Sequence, residues 1–212
     1  VYKRQLLCLL VALLVVMALP PVGRAPALAL AVAALPPVLL YPSAKRWFAL
    51  PQLVLALCWG FAVLIPWAAA SGSLAGGWPL VLVWLATLAW TFGFDTVYAM
   101  SDRQDDARLG LRSSALTLGS AAPVWVATCY GITAAGLAAA AVLRGLAAPP
   151  FWLAWLVGSA GMLREALLLG RPDLPRSAYG QHFSRQVQLG ALLLLGLVLS
   201  AGPVSYTHLT LP

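Results

Sequence analysis

The chain has 212 residues, of which 62% are hydrophobic and only 9% charged. An ordinary soluble domain carries about 25% charged residues, so that class is excluded. The net charge of +7 does not point to nucleic acid, because no basic patch is interleaved with aromatics and no nucleic-acid-binding motif is present.

A membrane span takes roughly 20 mostly apolar residues. The sequence therefore predicts an all-α, polytopic membrane protein with about seven transmembrane helices. Taken in order, the apolar runs cover 6–20, 25–42, 48–70, 78–97, 119–143, 149–169 and 187–202. Turn-rich or charged segments divide them, such as "SGSLAGG" at 71–77 and "YPSAKRW" at 41–47. Pro36, Pro37 and Pro66 lie near or inside runs. Lipid-embedded helices tolerate proline where neighbouring groups satisfy the freed backbone. Cys8, Cys58 and Cys129 each sit in an apolar run and read as small packing residues. No spaced Cys or His set suggests a zinc site.

The two ends read differently. "VYKRQ" at 1–5 and "VSYTH" at 204–208 can be encoded by one DNA element in opposite orientations. That element resembles the end of a transposase-based sequencing adapter. Residues 1–5 and 204–212 are accordingly set apart from the membrane domain at 6–203. The natural protein is expected to continue beyond both ends.

Charge counts orient the spans. Seven runs alternate sides. One side receives Lys45, Arg46, Arg103, Arg108, Arg112, Arg164, Arg171, Arg176 and Arg185; the other receives Arg24 and Arg144 only. Such a bias marks the cytoplasmic side. All six acids fall there too: Asp95, Asp102, Asp105, Asp106, Glu165 and Asp173.

Four of those acids crowd into "FDTVYAMSDRQDD" at 94–106. On a continuous helix Asp95, Tyr98, Asp102 and Asp106 share a face. Crowded carboxylates either protonate or hold a cation, and oxygen-only ligands suit Mg²⁺ completed by water and phosphate. The same spacing also fits a solvated helix end in which these acids pair with Arg103, Arg108 and Arg112. Tyr41, Ser43, Lys45 and Arg46 form a second polar island on the same side. Lys and Arg suit phosphate oxygens, although interfacial anchoring explains the island equally well. Together the islands suggest a diphosphate site beside lipid. A transporter with an intramembrane acid site is the alternative from another class. It predicts acids inside the spans and often an internal repeat; here the acids lie at one face, and no clear repeat is seen.

The motifs "YPSAKR" at 41–46, "LPQLVLALCWGFAVLIPWAA" at 50–69, "DTVYAMSDRQDD" at 95–106 and "LGLRSSALTLG" at 109–119 resemble the UbiA family of intramembrane prenyltransferases. The acid motif is similar to that of 4-hydroxybenzoate polyprenyltransferases. "YGQHFSRQVQLGALLLLGLVL" at 179–199 resembles the cyanobacterial branch, which makes plastoquinone precursors. The resemblance covers nearly all of 6–203. It implies a nine-helix bundle of which this chain holds the third to ninth helices. It also implies two acid-rich motifs, of which the first, N-D-x-x-D-x-x-x-D, does not occur here.

Carried over by position, Asp95, Asp102 and Asp106 would hold Mg²⁺–diphosphate, with Asp105 an extra acid. Lys45 would contact diphosphate and Tyr41 would line the cation site, with Arg46 and Arg103 as helpers. The implied reaction moves a polyprenyl group from polyprenyl diphosphate to 4-hydroxybenzoate in quinone (plastoquinone or ubiquinone) biosynthesis, in the plasma or thylakoid membrane. The chain by itself is expected to be inactive. Homogentisate, naphthoate or chlorophyllide acceptors are the alternatives within the family. Trp59, Trp90 and Phe94 are candidates for a water-excluding wall, unless they are ordinary packing or lipid-facing aromatics. His182 reads as a loop residue, not a base, and Arg112 and Ser113 as loop-ordering residues.

Overall fold

The computed structural model describes residues 2–171 and 174–201, with side chains from residue 6 onward. Asp173, the segment 204–212 and the side chains of 1–5 lie outside the described residues. All regular structure among the described residues is helical. The helices are α1 (Tyr2–Ala18), α2 (Pro21–Trp47), α3 (Pro51–Ser71), α4 (Gly77–Ser101), α5 (Arg103–Arg108), α6 (Ser114–Leu118), α7 (Ala122–Leu143), α8 (Pro149–Leu168) and α9 (Arg176–Ser200).

Local chemistry sets the boundaries. Pro21, Pro51 and Pro149 each stand in a first helical turn, where a missing N–H costs nothing and the fixed φ helps. Gly72, at φ 74°, ends α3 in the left-handed cap that glycine favours. The Ser113 hydroxyl accepts the Leu116 N–H at 3.2 Å and starts α6.

Six segments are long and apolar enough to cross a membrane: α2, α3, α4, the stretch from α6 through α7, α8 and α9. The seventh expected span corresponds to Leu6–Ala18, a shorter apolar helix. At 1.5 Å per residue it falls short of a hydrocarbon core about 30 Å thick. Two helices outrun their predicted ends. α2 continues past 42 to Trp47, keeping Pro26, Pro36, Pro37 and Pro42 inside it. α9 starts at Arg176, well before 187, because its polar first turns are helical as well.

α4 is central and packs against α3, α7 and α9; α2 pairs with α3, and α8 with α9. Glycines let α4 and α7 approach. A Cβ at Gly93 would stand 2.8 Å from Tyr130 Cε1, and one at Gly136 would stand 3.1 Å from the Leu82 carbonyl oxygen. Small residues at such crossings are how membrane helices gain packing without a hydrophobic driving force. Val97, Val126, Tyr130, Met162 and Leu193 fill the core among α4, α7, α8 and α9. Leu39, Val124, Leu153 and Leu199 point outward and are exposed, as lipid-facing residues are.

The polar ends gather on one side. The Arg112 N–H donates to the Lys45 carbonyl at 2.7 Å, and its guanidinium donates to the Trp47 carbonyl at 2.9 Å. At the opposite end Arg24 caps the Leu19 carbonyl at 2.9 Å, and Arg144 lies 5.8 Å from the Trp67 ring centroid. This is the division that the charge count predicts.

The α4–α7 crossing gives the first prediction. Gly93→Val should destabilise the detergent-solubilised protein by about 1–3 kcal/mol, the usual cost of overpacking. Gly131→Ala, where no heavy atom lies within 4 Å of the added Cβ, should leave the thermal midpoint within a degree or two. Equal shifts in a melting assay would show that the close approach does not matter.

Candidate functional site

The acid segment does not form one continuous helix. The Ser101 hydroxyl donates to the Tyr98 carbonyl at 2.7 Å and to the Asp102 carboxylate at 3.0 Å. Asp102, at φ −102° and ψ 3°, leaves helical geometry and closes α4. Its N–H bonds three residues back, to Ala99, at 3.2 Å. The chain then restarts as α5. The expected shared face therefore breaks at Asp102: Asp95 and Tyr98 stay on α4, Asp102 sits at the joint, and Asp105 and Asp106 ride on α5.

The break sends the acids to different partners. Asp106 is nearly fully buried and meets Lys45 of α2, whose Nζ lies 3.0 and 3.1 Å from its two oxygens. Asp102 and Asp105 converge on Arg176, the first residue of α9, at 3.1 and 2.9 Å. Arg108 approaches Asp105 only at 4.0 Å. The carboxylate of Asp95 has one oxygen, Oδ2, buried and unpartnered among the described residues. Tyr41 and Lys45 stand one turn apart on α2.

The remaining sequence candidates are placed as follows. Arg46 is exposed beside Lys45. Arg103 donates to the Gly119 carbonyl at 3.1 Å, and so reaches the end of α6 in place of a loop acid. Ser43 is engaged locally, donating to the Leu40 carbonyl and accepting from the Trp47 indole. Arg112 and Ser113 order the loop by the contacts above, joined by the Ser114 N–H to Gln52 Oε1 at 2.7 Å. Glu165 stands apart from the cluster on α8, where it accepts from Arg185 at 2.7 Å and Arg164 at 3.0 Å.

His182 differs from expectation. It lies inside α9 and is 2% exposed, and its Nε2 is 2.6 Å from the Tyr130 hydroxyl. Its Nδ1 is 3.6 Å from Glu165. The polar run around it looked like a loop, but helical spacing turns His182 inward against α7 and α8.

Trp59, Trp90 and Phe94 come together. With Thr91, Phe183 and Gln186 they line a cavity of about 310 Å³. Phe183 meets Phe94 edge-on with centroids 5.7 Å apart, and Tyr98 at 6.4 Å. The Trp90 indole is fixed by donation to Gln186 at 2.8 Å. This cavity shares Thr87, Trp90 and Gly190 with a second of about 190 Å³. The second shares Leu137, Phe151 and Leu197 with a third of about 230 Å³ that reaches Trp67 and Arg144. Apolar space thus runs in a row from the acid segment toward the opposite membrane face.

Could these acids hold a metal? Among the described residues no group of three or more His, Cys, Asp or Glu side chains forms a metal cage. The oxygen donors still fit a hard cation that needs one or two carboxylates and completes its shell with phosphate and water. The unpartnered Asp95 oxygen is a donor without a bond to give up.

A family model described as the UbiA prenyltransferase family matches residues 3–183. The chain belongs to that family. A protein of Synechocystis sp. named 4-hydroxybenzoate solanesyltransferase is 43% identical over 171 residues, covering 80% of this chain and 57% of that protein. Proteins named 4-hydroxybenzoate octaprenyltransferase match from Aeromonas salmonicida at 39% (82% of this chain, 58% of that protein) and from Azotobacter vinelandii at 34% (82% and 57%). The chain thus spans rather more than half the length of these curated relatives. No solved structure matches it significantly. As a family member with six apolar membrane-length segments, it is an integral membrane protein.

The Lys45–Asp106 pair is testable as a pair. Lys45→Met leaves a buried carboxylate without its cation and should lower the thermal midpoint; removing one partner of a well-buried pair costs about 3–5 kcal/mol, and the half-exposed lysine reduces that figure. Adding Asp106→Asn should restore part of the loss. A double variant whose loss equals the sum of the two single losses would show that the groups are not coupled.

Proposed function

We propose that the full-length protein containing this chain transfers a polyprenyl group from polyprenyl diphosphate to the ring of 4-hydroxybenzoate, on the route to a quinone. The observation that carries the reading is a juxtaposition. Three carboxylates, a cation and a phenol, Asp95, Asp102, Asp106, Lys45 and Tyr41, stand at one end of an aromatic cavity, behind which two further apolar cavities lie in a row across the helices. The names of the relatives supply the substrates.

In this reading Asp95, Asp102 and Asp106, with Asp105 as a further oxygen donor, would hold Mg²⁺ together with the diphosphate. Bound Mg²⁺ supplies charge neutralisation for the departing diphosphate. Lys45 contacts diphosphate oxygens and stabilises the same charge; Arg46 and Arg103 are the proposed helpers. The allylic C–O bond breaks, and its electron pair leaves with the diphosphate. The ring carbon ortho to the acceptor hydroxyl forms the new C–C bond. That carbon then loses its proton, and the ring regains aromaticity. Tyr41, one turn before Lys45 on α2, lines the space where allylic charge develops. Trp59, Trp90, Phe94 and Phe183 keep water from the cation, which water would convert to a prenol. The row of apolar cavities suits a long prenyl chain.

The site lies on the cytoplasmic side by the charge bias, in a bacterial plasma or thylakoid membrane. The family's first acid motif does not occur in this chain, so the residues proposed here form one half of the diphosphate site, and the 212-residue chain alone should give no turnover. Homogentisate, naphthoate and chlorophyllide are the competing acceptors.

The mutational test uses a full-length protein that also carries a first acid motif. Asp102→Ala should lower kcat by about 100-fold or more, comparable to the loss of one group that stabilises transition-state charge, while membrane insertion is unchanged. Lys45→Ala should chiefly raise KM for the prenyl diphosphate. Near-normal turnover by Asp102→Ala, or an unchanged response of Lys45→Ala to prenyl diphosphate concentration, would count against these roles.

A further inference from the structure

Arg176 is absent from the site as read from sequence, yet it holds two of its acids. Its Nη2 lies 2.9 Å from Asp105 Oδ2 and 3.1 Å from Asp102 Oδ1. Lys45 stands in the same relation to Asp106, at 3.0 and 3.1 Å. Three of the four clustered acids are thus held by two cations, one at the end of α2 and one at the start of α9. We infer that Arg176 is a diphosphate-binding residue, the counterpart of Lys45 from the other end of the chain. The inference rests on the metal–diphosphate site proposed above.

The argument is one of partner exchange. The Arg176 side chain is 65% exposed, and its acids are 30% and 49% exposed. Exposed pairs of this kind are weak and easily exchanged. A divalent cation arriving with diphosphate offers the carboxylates a stronger partner. It also leaves a guanidinium beside an incoming polyanion. A guanidinium fork matches phosphate oxygens and can engage two at once. Arg176 also begins a 25-residue helix, whose positive N-terminal end favours an anion nearby. Asp102 and Asp105 hold the fork in place until the substrate comes.

The competing account makes Arg176 a clasp that only ties α9 to the acid segment. The two accounts differ in sign. If Arg176 competes with metal and then binds diphosphate, Arg176→Gln should bind metal alone more tightly and pyrophosphate less tightly. A clasp would weaken both or neither.

The test uses the full-length protein in detergent, with Mn²⁺ as an EPR-visible replacement for Mg²⁺ and inorganic pyrophosphate as the anion. Thermal melting checks that the variants fold. Arg176→Gln should bind Mn²⁺ alone about 2–5-fold more tightly, the scale of an exposed ion pair. It should bind pyrophosphate in the presence of Mn²⁺ about 3–10-fold less tightly, the scale of a charge-assisted hydrogen bond. Arg176→Lys keeps the charge and loses the fork. It should match the wild type for Mn²⁺ and fall between the wild type and Arg176→Gln for pyrophosphate. Two constants that weaken together, or two unchanged constants, would overturn the inference and leave the site reading standing. A wild-type protein that binds neither Mn²⁺ nor pyrophosphate would overturn both.

Discussion

The chain is organised around the cost of placing charge next to hydrocarbon. An ionised side chain at the middle of a span costs about 2.5–3.5 kcal/mol on insertion scales, so most of the few described charges collect at one membrane face, and several of them pair there. The Lys45–Asp106 contact shows the rule at its strictest. Asp106 is nearly fully buried, with a side-chain exposure of 6%, and its cation comes from a helix 61 residues earlier in the chain. That pair, the Arg112 bonds to the α2 end and the Arg176 fork draw α2, α5 and α9 to the same place. The polar end of the molecule is thereby assembled from segments far apart in sequence.

The apolar body supplies what the polar end needs. Glycines at the α4–α7 crossing bring the central helix close to its neighbour. The aromatic cavity opens beside Phe94 and Tyr98, at the end of α4 that also carries Asp95. Apolar space then continues past Trp90 and Gly190 toward Arg144. A diphosphate with a long hydrocarbon tail has this same division, charge at one end and apolar chain behind it. In the proposed reading, the polar end would take part of the diphosphate and the aromatic wall would keep water from the bond that joins it to the tail.

Much of this was legible in the sequence. Apolar runs located the spans, and Arg and Lys counts gave the side on which the structure gathers its polar contacts. The acid motif and Lys45 were singled out by composition and spacing. Three features were not legible, each for a physical reason. Helical periodicity assumes an unbroken helix, but Ser101 takes the Tyr98 carbonyl and Asp102 turns the chain, so the acids separate. Polar residues at 176–186 looked like a loop, yet they form a helix whose inward face buries His182 and Gln186. Arg176 is more than 70 residues from its partners, and the charge count alone could place it on the right side without naming its contacts. Trp59, Trp90 and Phe94 were candidates for a wall, and the fold gathers them around one cavity.

Membership in the UbiA prenyltransferase family and the geometry of the polar end lead to one central claim, that this membrane face handles a prenyl diphosphate for transfer to an aromatic ring. The most direct measurement is a transfer assay with the full-length protein, a long-chain polyprenyl diphosphate and separate reactions containing 4-hydroxybenzoate, homogentisate, a naphthoate or chlorophyllide, with products read by mass spectrometry. The account predicts a ring-prenylated product from 4-hydroxybenzoate that disappears when divalent cations are chelated. Transfer to a different acceptor with none to 4-hydroxybenzoate would contradict the assigned substrate, and no metal-dependent transfer to any acceptor would contradict the claim itself.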